Sequence, residues 1–309
     1  MLPEIQFRNA KSLTWKKLTG KNVRALPGSD LHRAETNEMQ AECLQYQHPL
    51  FSIGYRVIRF FKSYRLSIRE KSQTVRLQAV LKGELPAHAP DGSAIMLQPG
   101  QYQISVHPSI TALFKKDSAC RYFVTHYSRE LIDHSGLKDI FKPTGARKLT
   151  AEMANQIQKI LQNPFAGHVR TFHYENCIRE LLRLHLTQHD TPVPGELSGE
   201  DIAKIYAADT LLVEELKIHY RLNALARKTG LSEGKLKKGF RQVFKMGVFE
   251  RLTYHRMKYA KELLRSSYRT IDDIASVVGY HSRSSFTTAF KASFDVSPTT
   301  WRKENSIMK

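Results

Sequence analysis

The amino-acid sequence predicts an α+β protein with a β-rich N-terminal domain, a helical hairpin and an all-α double helix-turn-helix domain. Three patterns carry this prediction. Residues 51–127 alternate between apolar and polar side chains, and residues 153–186 carry apolar side chains at helical spacing. Residues 222–301 contain one supersecondary unit twice. The length of 309 residues suits more than one domain, and a hydrophobic fraction of 41% is enough for their cores.

The β-rich domain is placed at residues 1–148. Its clearest strand is 75–82, where apolar residues alternate with polar ones and Arg76 and Gln78 are expected on a solvated face. Glycine and proline turns separate several such strands, which favours a small β-sandwich or barrel. Residues 1–50 are expected to form only short irregular elements.

Two groups of residues in the strand region have alternative interpretations. Its aromatic residues either line a ligand pocket or fill the core. They are Tyr55, Phe60, Phe61, Tyr64, Tyr102, Phe114, Tyr122 and Phe123. The basic residues Arg56, Arg59, Lys62 and Arg65 either attract an anionic ligand or form a solvated strand face. Periodicity alone leaves both questions open.

The helical hairpin is placed at residues 149–190. Asn163-Pro164 separates its two helices, because proline disfavours helical geometry in the residue before it. The second helix carries a wide apolar stripe formed by Val169, Phe172, Ile178, Leu181, Leu182 and Leu186. The hairpin either packs on the β-rich domain or forms a dimer interface. A linker is expected at 191–200, where two prolines and a glycine prevent a helix.

The C-terminal domain is placed at residues 201–309, with helix-turn-helix units at about 222–244 and 271–294. In each unit a short amphipathic helix ends at a glycine, Gly230 or Gly279, and a second amphipathic helix follows. Glycine permits the positive φ of a sharp turn. In a helix-turn-helix the second helix is able to enter the major groove of DNA.

The polar faces of the two second helices supply the candidate DNA-binding residues. The first helix presents Lys235, Lys237, Lys238 and Arg241. The second presents Arg283, Ser284, Thr287, Thr288 and Lys291. Lys and Arg attract phosphates and pair with guanine, and short Ser and Thr side chains reach phosphates or base edges. Ser232 and Ser282 are predicted N-caps of these helices and complete the set, and Thr270 with Asp273 resembles a capping box.

The distribution of charge agrees with a polyanionic partner. The formal net charge is +19. Residues 201–309 contain 21 Lys and Arg against 11 Asp and Glu, so about half of the net charge lies in the last third of the chain. A positive surface favours nucleic acid through release of counterions. Charge together with the paired motifs predicts DNA binding.

Residues 211–304 resemble the DNA-binding domain of the AraC/XylS family of bacterial transcription regulators. The matching motifs, in chain order, are LARKTGLSEGKLKKGF (225–240), YHRMKYAKELL (254–264), IDDIASVVGYHSRSSFTTAFKASF (271–294) and SPTTW (297–301). The resemblance implies seven helices and two recognition helices that read successive major grooves. By position in the motif, the base-facing residues would be Gly234, Lys237, Lys238, Arg283, Ser284, Thr287 and Thr288.

Two residues depart from the family pattern. Gly234 stands where a side chain often reaches DNA, so the first recognition helix is expected to read fewer bases. Asp295 replaces the glycine that usually follows the last phenylalanine, which concerns the turn and not the fold.

The family resemblance also implies that the N-terminal domain is a cupin-like sandwich or barrel with a regulatory role.

The resemblance implies a sequence-specific transcription regulator, with activation as the expected mode, controlled by an effector or a protein contact at the N-terminal domain. The expected partners are promoter DNA, RNA polymerase, a small-molecule effector and a second copy of the chain. A short similarity of residues 162–182 to regulators of iron-siderophore uptake suggests a ferric siderophore as effector. Two alternatives remain: a constitutive DNA-binding protein whose N-terminal domain only oligomerises, and a DNA-modifying enzyme.

Other classes of site find no support in the residue pattern. Thirteen histidines, among them His107 and His126, show no metal-ligand spacing, so no metal is expected. Three distant cysteines form neither a zinc pattern nor a disulfide framework, which favours a reducing compartment. No phosphate loop or catalytic triad pattern is visible, so neither catalytic residues nor a cofactor are expected. Without a long apolar run, a cytoplasmic protein with no membrane partner is predicted.

Overall fold

A computed structural model describes residues 4–7, 13–18, 25–69, 75–89, 92–106, 109–134, 144–188 and 197–306. The chain divides into two compact units, Met1–Ala203 (unit 1) and Lys204–Lys309 (unit 2). Most of the linker predicted at 191–200 lies outside the described residues, as does His107.

Unit 1 is built mainly from antiparallel strands. Within the described residues they are β1 Glu4–Phe7, β2 Lys16–Leu18, β3 Asp30–Glu35, β4 Met39–Gln47, β5 Phe51–Phe60, β6 Tyr64–Arg69, β7 Val75–Lys82, β8 Leu85–His88, β9 Ala94–Leu97, β10 Gln101–Ser105, β11 Ser109–Phe114, β12 Ser118–Tyr127 and β13 Arg147–Lys148. The largest sheet has the order β13-β10-β7-β12-β5-β4-β3-β2. A three-stranded sheet β1-β6-β11 and the hairpin β8-β9 accompany it.

The first helix lies between β12 and β13, and the other helices follow the strands. The bounds are α1 Arg129–His134, α2 Ala151–Leu161, α3 Gly167–Thr187, α4 Gly199–Glu214, α5 Leu222–Lys228, α6 Glu233–Phe244, α7 Val248–Ser266, α8 Ile271–Val277, α9 Arg283–Phe294 and α10 Pro298–Asn305. The boundary between the units falls inside α4. The predicted fold class, a β-rich domain followed by a helical hairpin and a helical C-terminal domain, is confirmed.

The irregular elements expected before residue 50 are strands, so that expectation was wrong. In β4 the buried positions Met39, Ala41 and Cys43 alternate with more exposed ones, and β4 pairs with both β3 and β5. Small Ala and Cys side chains make a weak apolar pattern in the sequence. The strand is stabilised by its pairing with β3 and β5, which a weak apolar pattern does not reveal.

One face of the large sheet packs under the smaller sheets to form an apolar core. Ile58, Val80 and Tyr122 from the large sheet join Leu66 of β6 and Leu97 of β9 in this core. The rings of Phe60 and Phe114 are stacked with centroids 4.3 Å apart. Most of the aromatic residues of the strand region are therefore core residues, although Phe61 is exposed.

The other face of the large sheet carries the helical hairpin. The hydroxyl oxygens of Tyr46 in β4 and Thr171 in α3 are 2.8 Å apart. The Tyr102 hydroxyl in β10 lies 3.0 Å from Nδ1 of His185 in α3. The hairpin thus packs on the β-rich domain.

The apolar stripe predicted for the second hairpin helix is split between two environments. Ile178, Leu181 and Leu182 in α3 are buried, whereas Val169 is 57% exposed and Phe172 is 66% exposed. One part of the stripe therefore packs on the β-rich domain, and the other part is left exposed. Val169 and Phe172 face solvent, whereas Thr171 and Tyr174 in the same half of α3 contact Tyr46 and Pro27 of unit 1.

Strand β7 is covered on both faces, which corrects the expectation of a half-buried strand. Arg76 and Gln78, predicted on a solvated face, are 7% and 6% exposed. The small sheets cover the side of the large sheet that alternation assigned to water. A period-two pattern identifies two faces of a strand but not whether a second layer covers the polar one.

Candidate nucleic-acid interface

Unit 2 contains two helix-turn-helix motifs, formed by α5–α6 and by α8–α9. The turns of the two motifs have the same backbone geometry. Gly230 and Gly279 have φ of +67° and +88°. In the first turn the Gly230 amide donates to Arg227 O, and the Leu231 amide donates to Ala226 O. The second turn repeats both bonds from residues 279 and 280 to residues 276 and 275. Both turns are therefore Schellman motifs, which satisfy the last carbonyls of the first helix and redirect the chain.

Each second helix begins at a serine cap, as predicted. Ser232 Oγ accepts a hydrogen bond from the Lys235 amide, and Ser282 Oγ accepts one from the Ser285 amide, both at 3.2 Å. The Thr270 hydroxyl accepts from the Asp273 amide and the Asp273 carboxylate accepts from the Thr270 amide, which makes the predicted capping box. These hydroxyls define where the helices start, which sets the residues that face outward.

The C-terminal ends of α6 and α9 also have the same backbone conformation. Lys245 after α6 and Asp295 after α9 both take the left-handed conformation, with φ of 56° and 61°. Asp295 therefore keeps the turn geometry for which the family pattern uses glycine. Asp tolerates this region better than most residues, because its short polar side chain bonds locally.

Apolar contacts fix the rotation of α6 and α9 about their axes. Leu236 and Phe240 of α6 and Phe286 and Phe290 of α9 are all 0% exposed. Phe290 also lies 6.5 Å from Trp301 of α10, measured between ring centroids. Since these residues occupy one side of each helix, the opposite side is left for solvent or a partner.

All twelve predicted contact residues lie on or beside that opposite side. Eleven are exposed and Thr287 is half-buried. The exposed ones are Ser232, Gly234, Lys235, Lys237, Lys238, Arg241, Ser282, Arg283, Ser284, Thr288 and Lys291. Within each helix their spacing places them on one face.

The two exposed faces differ in chemistry. The face of α6 has four cations and one carboxylate, that of Glu233, in the first turn. The face of α9 has more hydroxyls, and its Arg283 Nη1 lies 3.4 Å from the Asp272 carboxylate of α8. Both members of this pair are more than half exposed, so the ion pair is weak and easily exchanged for another partner. The first face suits phosphates, and the second suits hydrogen bonding to base edges.

Gly234 leaves an open place on α6. A Cβ built at this residue meets no atom within 4 Å. The helix therefore presents bare backbone between its neighbouring cations.

The helix between the two units, α7, contains buried arginines that sequence reasoning did not assign. Arg251 is 1% exposed and pairs with Asp209 of α4. Arg256 is 4% exposed, and its Nε and Nη2 donate to the Leu216 carbonyl at 2.9 and 2.7 Å. These arginines hold the helices of unit 2 together. Both arginines occupy positions on the apolar face of α7, so the helical spacing of the sequence could have indicated that they are buried.

The described residues contain no group of three or more potential metal ligands. His126 is buried and its Nδ1 lies 3.2 Å from Ser52 Oγ. Within the same described part of the chain, no helix is long and apolar enough to span a membrane.

Comparison with known proteins supports the assignment of unit 2. A family model described as a helix-turn-helix domain matches residues 225–304. Regulatory protein SoxS of Salmonella typhimurium is 33% identical over 81 residues, which cover 26% of this chain and 76% of SoxS. A putative AraC-like transcription regulator of Streptomyces lividans is 32% identical over 151 residues, 48% of this chain and 50% of that protein.

Two further proteins are similar to part of this chain. The HTH-type transcriptional regulator AlkR of Acinetobacter baylyi is 27% identical over 140 residues, 45% of this chain and 44% of AlkR. The C-terminal domain of AraT, a response regulator from Geobacillus stearothermophilus, is 29% identical, with a TM-score of 0.33 over 34% of this chain and 88% of that domain. The chain thus spans about half the length of AlkR and of the Streptomyces protein.

Proposed function

The chain belongs to the AraC/XylS family of DNA-binding transcription regulators, and we propose that it binds promoter DNA through α6 and α9 under the control of unit 1. Regulators of this family are not enzymes, so the DNA-modifying alternative is set aside. The observation that carries the proposal is the matched pair of helix-turn-helix units. Their turns, caps and buried aromatic residues coincide, and their outward faces carry the polar and basic residues.

The proposed division of labour follows the chemistry of the two faces. Lys235, Lys237, Lys238 and Arg241 of α6 contact phosphates and position the protein. For Lys237 and Lys238 this differs from the base contacts that the family motif implies, because the face of α6 carries mainly cations. Arg283, Ser284, Thr287 and Thr288 of α9 read bases, with Lys291 at a phosphate. Ser232 and Ser282 hold the first turns of the helices, where backbone amides also face an anion.

Control by unit 1 is the second element of the proposal. A signal received there changes how α6 and α9 engage DNA, which is a coupling between two sites. A second copy of the chain joins through the exposed apolar end of α3, and RNA polymerase contacts the DNA-bound protein to activate transcription. The segment that suggested a ferric siderophore lies mostly in α3, and the buried side chains of α3 pack in unit 1. Measuring DNA affinity with and without a ferric siderophore tests that effector.

The first test compares three alanine variants of the full chain on a genome-wide map of bound sites. Arg283→Ala is expected to weaken the preferred sites by about 1–3 kcal/mol and to broaden the bound sequence at one position. Lys238→Ala is expected to weaken all sequences equally and to reduce the salt dependence. Lys303→Ala removes an equal charge from α10 and serves as the control.

Discrete sites with a shared sequence support a specific regulator. Diffuse binding, with an affinity that depends on salt concentration but not on DNA sequence, would overturn the proposed base readout. Binding that stays the same under every growth condition would favour the constitutive alternative, in which unit 1 only oligomerises.

A further inference from the structure

The connection between α4 and α5, residues 215–221, contacts both helix-turn-helix motifs of unit 2. Near its two ends it binds α5 of the first motif. Lys228 Nζ lies 3.2 Å from both carboxylate oxygens of Glu215 and donates to the Tyr220 hydroxyl at 2.7 Å. The Tyr220 ring adds a cation–π contact, with Lys228 Nζ 5.2 Å from the ring centroid. The α4–α5 connection is therefore attached to the first motif on both sides of its middle.

The middle of the α4–α5 connection binds α7. Arg256 is 4% exposed, and its Nε and Nη2 both donate to the Leu216 carbonyl oxygen. Two donors of one rigid guanidinium on one oxygen fix the direction of the contact as well as its length. Arg256 Cζ also lies 5.5 Å from the ring centroid of Tyr280, which follows the turn glycine of the second motif. One buried side chain therefore contacts the α4–α5 connection and the second turn at the same time.

His219 joins the α4–α5 connection directly to the second motif. Its Nε2 lies 2.9 Å from the Gly279 carbonyl oxygen, and Nε2 is the donor because a carbonyl only accepts. Nη2 of Arg256 lies 3.4 Å from the same nitrogen, so the guanidinium borders this hydrogen bond. The His219 ring is stacked on that of His281, with centroids 5.4 Å apart. Since His281 directly precedes Ser282, the N-cap of α9, these contacts end where the second recognition helix begins.

The two turn glycines have different surroundings within the described residues. At Gly279 the backbone of the α4–α5 connection approaches so closely that a Cβ would lie 2.6 Å from the Leu216 oxygen and 3.0 Å from Lys217 Cα. At Gly230, a Cβ would have only the side chain of Lys204 within 4 Å among the residues that the structure describes. The caps and turns of the two motifs are otherwise alike, so folding of a motif does not require the difference. The contacts at Gly279 instead determine where the second motif lies relative to the first.

The placement of α9 relative to α6 matters because DNA is helical. Successive major-groove segments on one side of the duplex lie one turn apart, about 34 Å or about 10 base pairs. One base pair more or less between two half-sites therefore rotates the second half-site by about 35° around the DNA axis. A rigidly joined pair of recognition helices fits one spacing, whereas a loosely joined pair fits several.

We propose that Arg256 is a positioning residue, which fixes α9 relative to α6 through the Leu216 carbonyl and His219 and so sets the half-site spacing that the protein accepts. Arg256 is buried within unit 2, so it acts through these residues and not by contact with DNA. This inference rests on the proposed binding of promoter DNA by α6 and α9. It adds the residues that determine the geometry of that binding.

The test uses the full chain and DNA duplexes from the genome-wide map of bound sites, with one base pair inserted or deleted between the segments bound by α6 and α9. The parent protein is expected to lose about tenfold in affinity for each change, since a displaced half-site costs as much as a mismatched one. Arg256→Lys keeps the charge but loses the paired geometry, and is expected to bind the parent spacing about tenfold more weakly. Its affinity is expected to be nearly the same for the altered spacings, while its preference for the bases under α6 remains.

His219 variants carry the test if Arg256→Lys does not fold, because His219 is exposed. His219→Ala removes the donor to the Gly279 carbonyl and is expected to broaden the accepted spacing in the same way. His219→Gln keeps a side-chain N–H donor and is expected to restore the parent preference.

Two control variants separate positioning from general damage. Ile218→Ala changes a side chain of the same connection that is 45% exposed. Arg251→Lys changes the other buried arginine of α7, which pairs with Asp209 of α4 and not with the second turn. Both are expected to keep the parent spacing, although Arg251→Lys lowers Tm.

The outcomes distinguish this inference from the proposed function. Broadened spacing in the Arg256 and His219 variants, with both controls unchanged, supports the positioning role. An unchanged spacing preference in these variants, or the same broadening in Arg251→Lys, would overturn it. A parent protein that reads both half-sites but accepts every spacing also overturns it and leaves the proposed base readout intact. Binding without any sequence preference overturns the proposed base readout, and the positioning role fails with it.

Discussion

Arg251 of α7 forms a two-pronged ion pair with Asp209 of α4. Its Nε and Nη2 donate to the two carboxylate oxygens at 2.7 and 2.8 Å, and His255 Nε2 lies 2.8 Å from Oδ1. Burial alone would raise the pKa of Asp209. The hydrogen bonds and charge of Arg251, together with His255, instead hold that pKa well below its usual range. The pair joins the first helix of unit 2 to the helix that connects its two DNA-binding units.

Asp209→Asn is expected to destabilise the protein by about 3–5 kcal/mol, because it leaves the Arg251 charge buried without its counterion. Urea unfolding followed by circular dichroism measures the loss. Asp272→Asn is the matched control, since Asp272 also pairs with an arginine but is 63% exposed, and less than about 1 kcal/mol is expected there. Similar losses in both variants would contradict a special role for the buried pair.

His185 makes the stability of the protein depend on pH. Burial, and then the charge of Arg147, lowers the pKa of His185 to about 4. Because the unfolded chain binds this proton near pH 6.5 and the folded chain does not, stability is full above that pH and falls toward pH 4. The expected loss from this group is about 3 kcal/mol over that range.

His185→Gln retains a polar group near Tyr102 and is expected to flatten this part of the pH profile. The free energy of unfolding, measured at intervals between pH 7.5 and 4.5, shows the change in slope. His168→Gln, on the exposed side of α3, should leave the slope as it is. An unchanged profile for His185→Gln would mean that other groups cause the dependence.

The two turn glycines are expected to differ in their tolerance of a side chain. A Cβ at Gly279 would lie 2.6 Å from the Leu216 carbonyl oxygen and 2.8 Å from Arg256 Nη2, whereas at Gly230 the nearest atom is Lys204 Cε at 3.7 Å. Gly230→Ala therefore adds only left-handed strain, about 1–2 kcal/mol. Gly279→Ala adds a backbone clash to the same strain.

Thermal unfolding of the two alanine variants side by side measures this difference. The midpoint of Gly279→Ala should be clearly below that of Gly230→Ala, and its binding to DNA should be weaker because α9 is displaced. Equal midpoints would show that the chain around Leu216 relaxes without cost.

The exposed apolar end of α3 predicts association between copies of the chain. Phe172 is 66% exposed, and Val169 lies beside it on the same face. Phe172→Asp is expected to convert a dimer to a monomer in sedimentation experiments, because it places a charge in an apolar contact. Thr187→Asp adds the same charge at the opposite, exposed end of α3, about 22 Å along the helix axis, and is the control. If the unsubstituted protein is already monomeric, the prediction of association is wrong.

The sequence by itself determined the architecture of unit 2. Helix starts at Ser232, Thr270 and Ser282, turns at Gly230 and Gly279, and the apolar spacing of the helices are all local signals. The hydrogen bonds that satisfy them lie within a few residues, so a short segment contains the whole cause. The exposed face of each recognition helix followed directly from the position of its buried aromatic residues.

Only the tertiary structure decided which polar faces of unit 1 are covered. Alternation in 75–82 separated Arg76 and Gln78 from their apolar neighbours, but the smaller sheets cover the side with Arg76 and Gln78 and the helical hairpin covers the other side of the sheet. In the same way, Arg56 is buried and Phe172 is exposed, contrary to their polarity. Burial depends on which strands and helices pack over a residue, and those elements come from distant parts of the chain. The burial of Arg56 and Arg76 depends on that packing, whereas the candidate DNA interface was already visible in the linear order of residues.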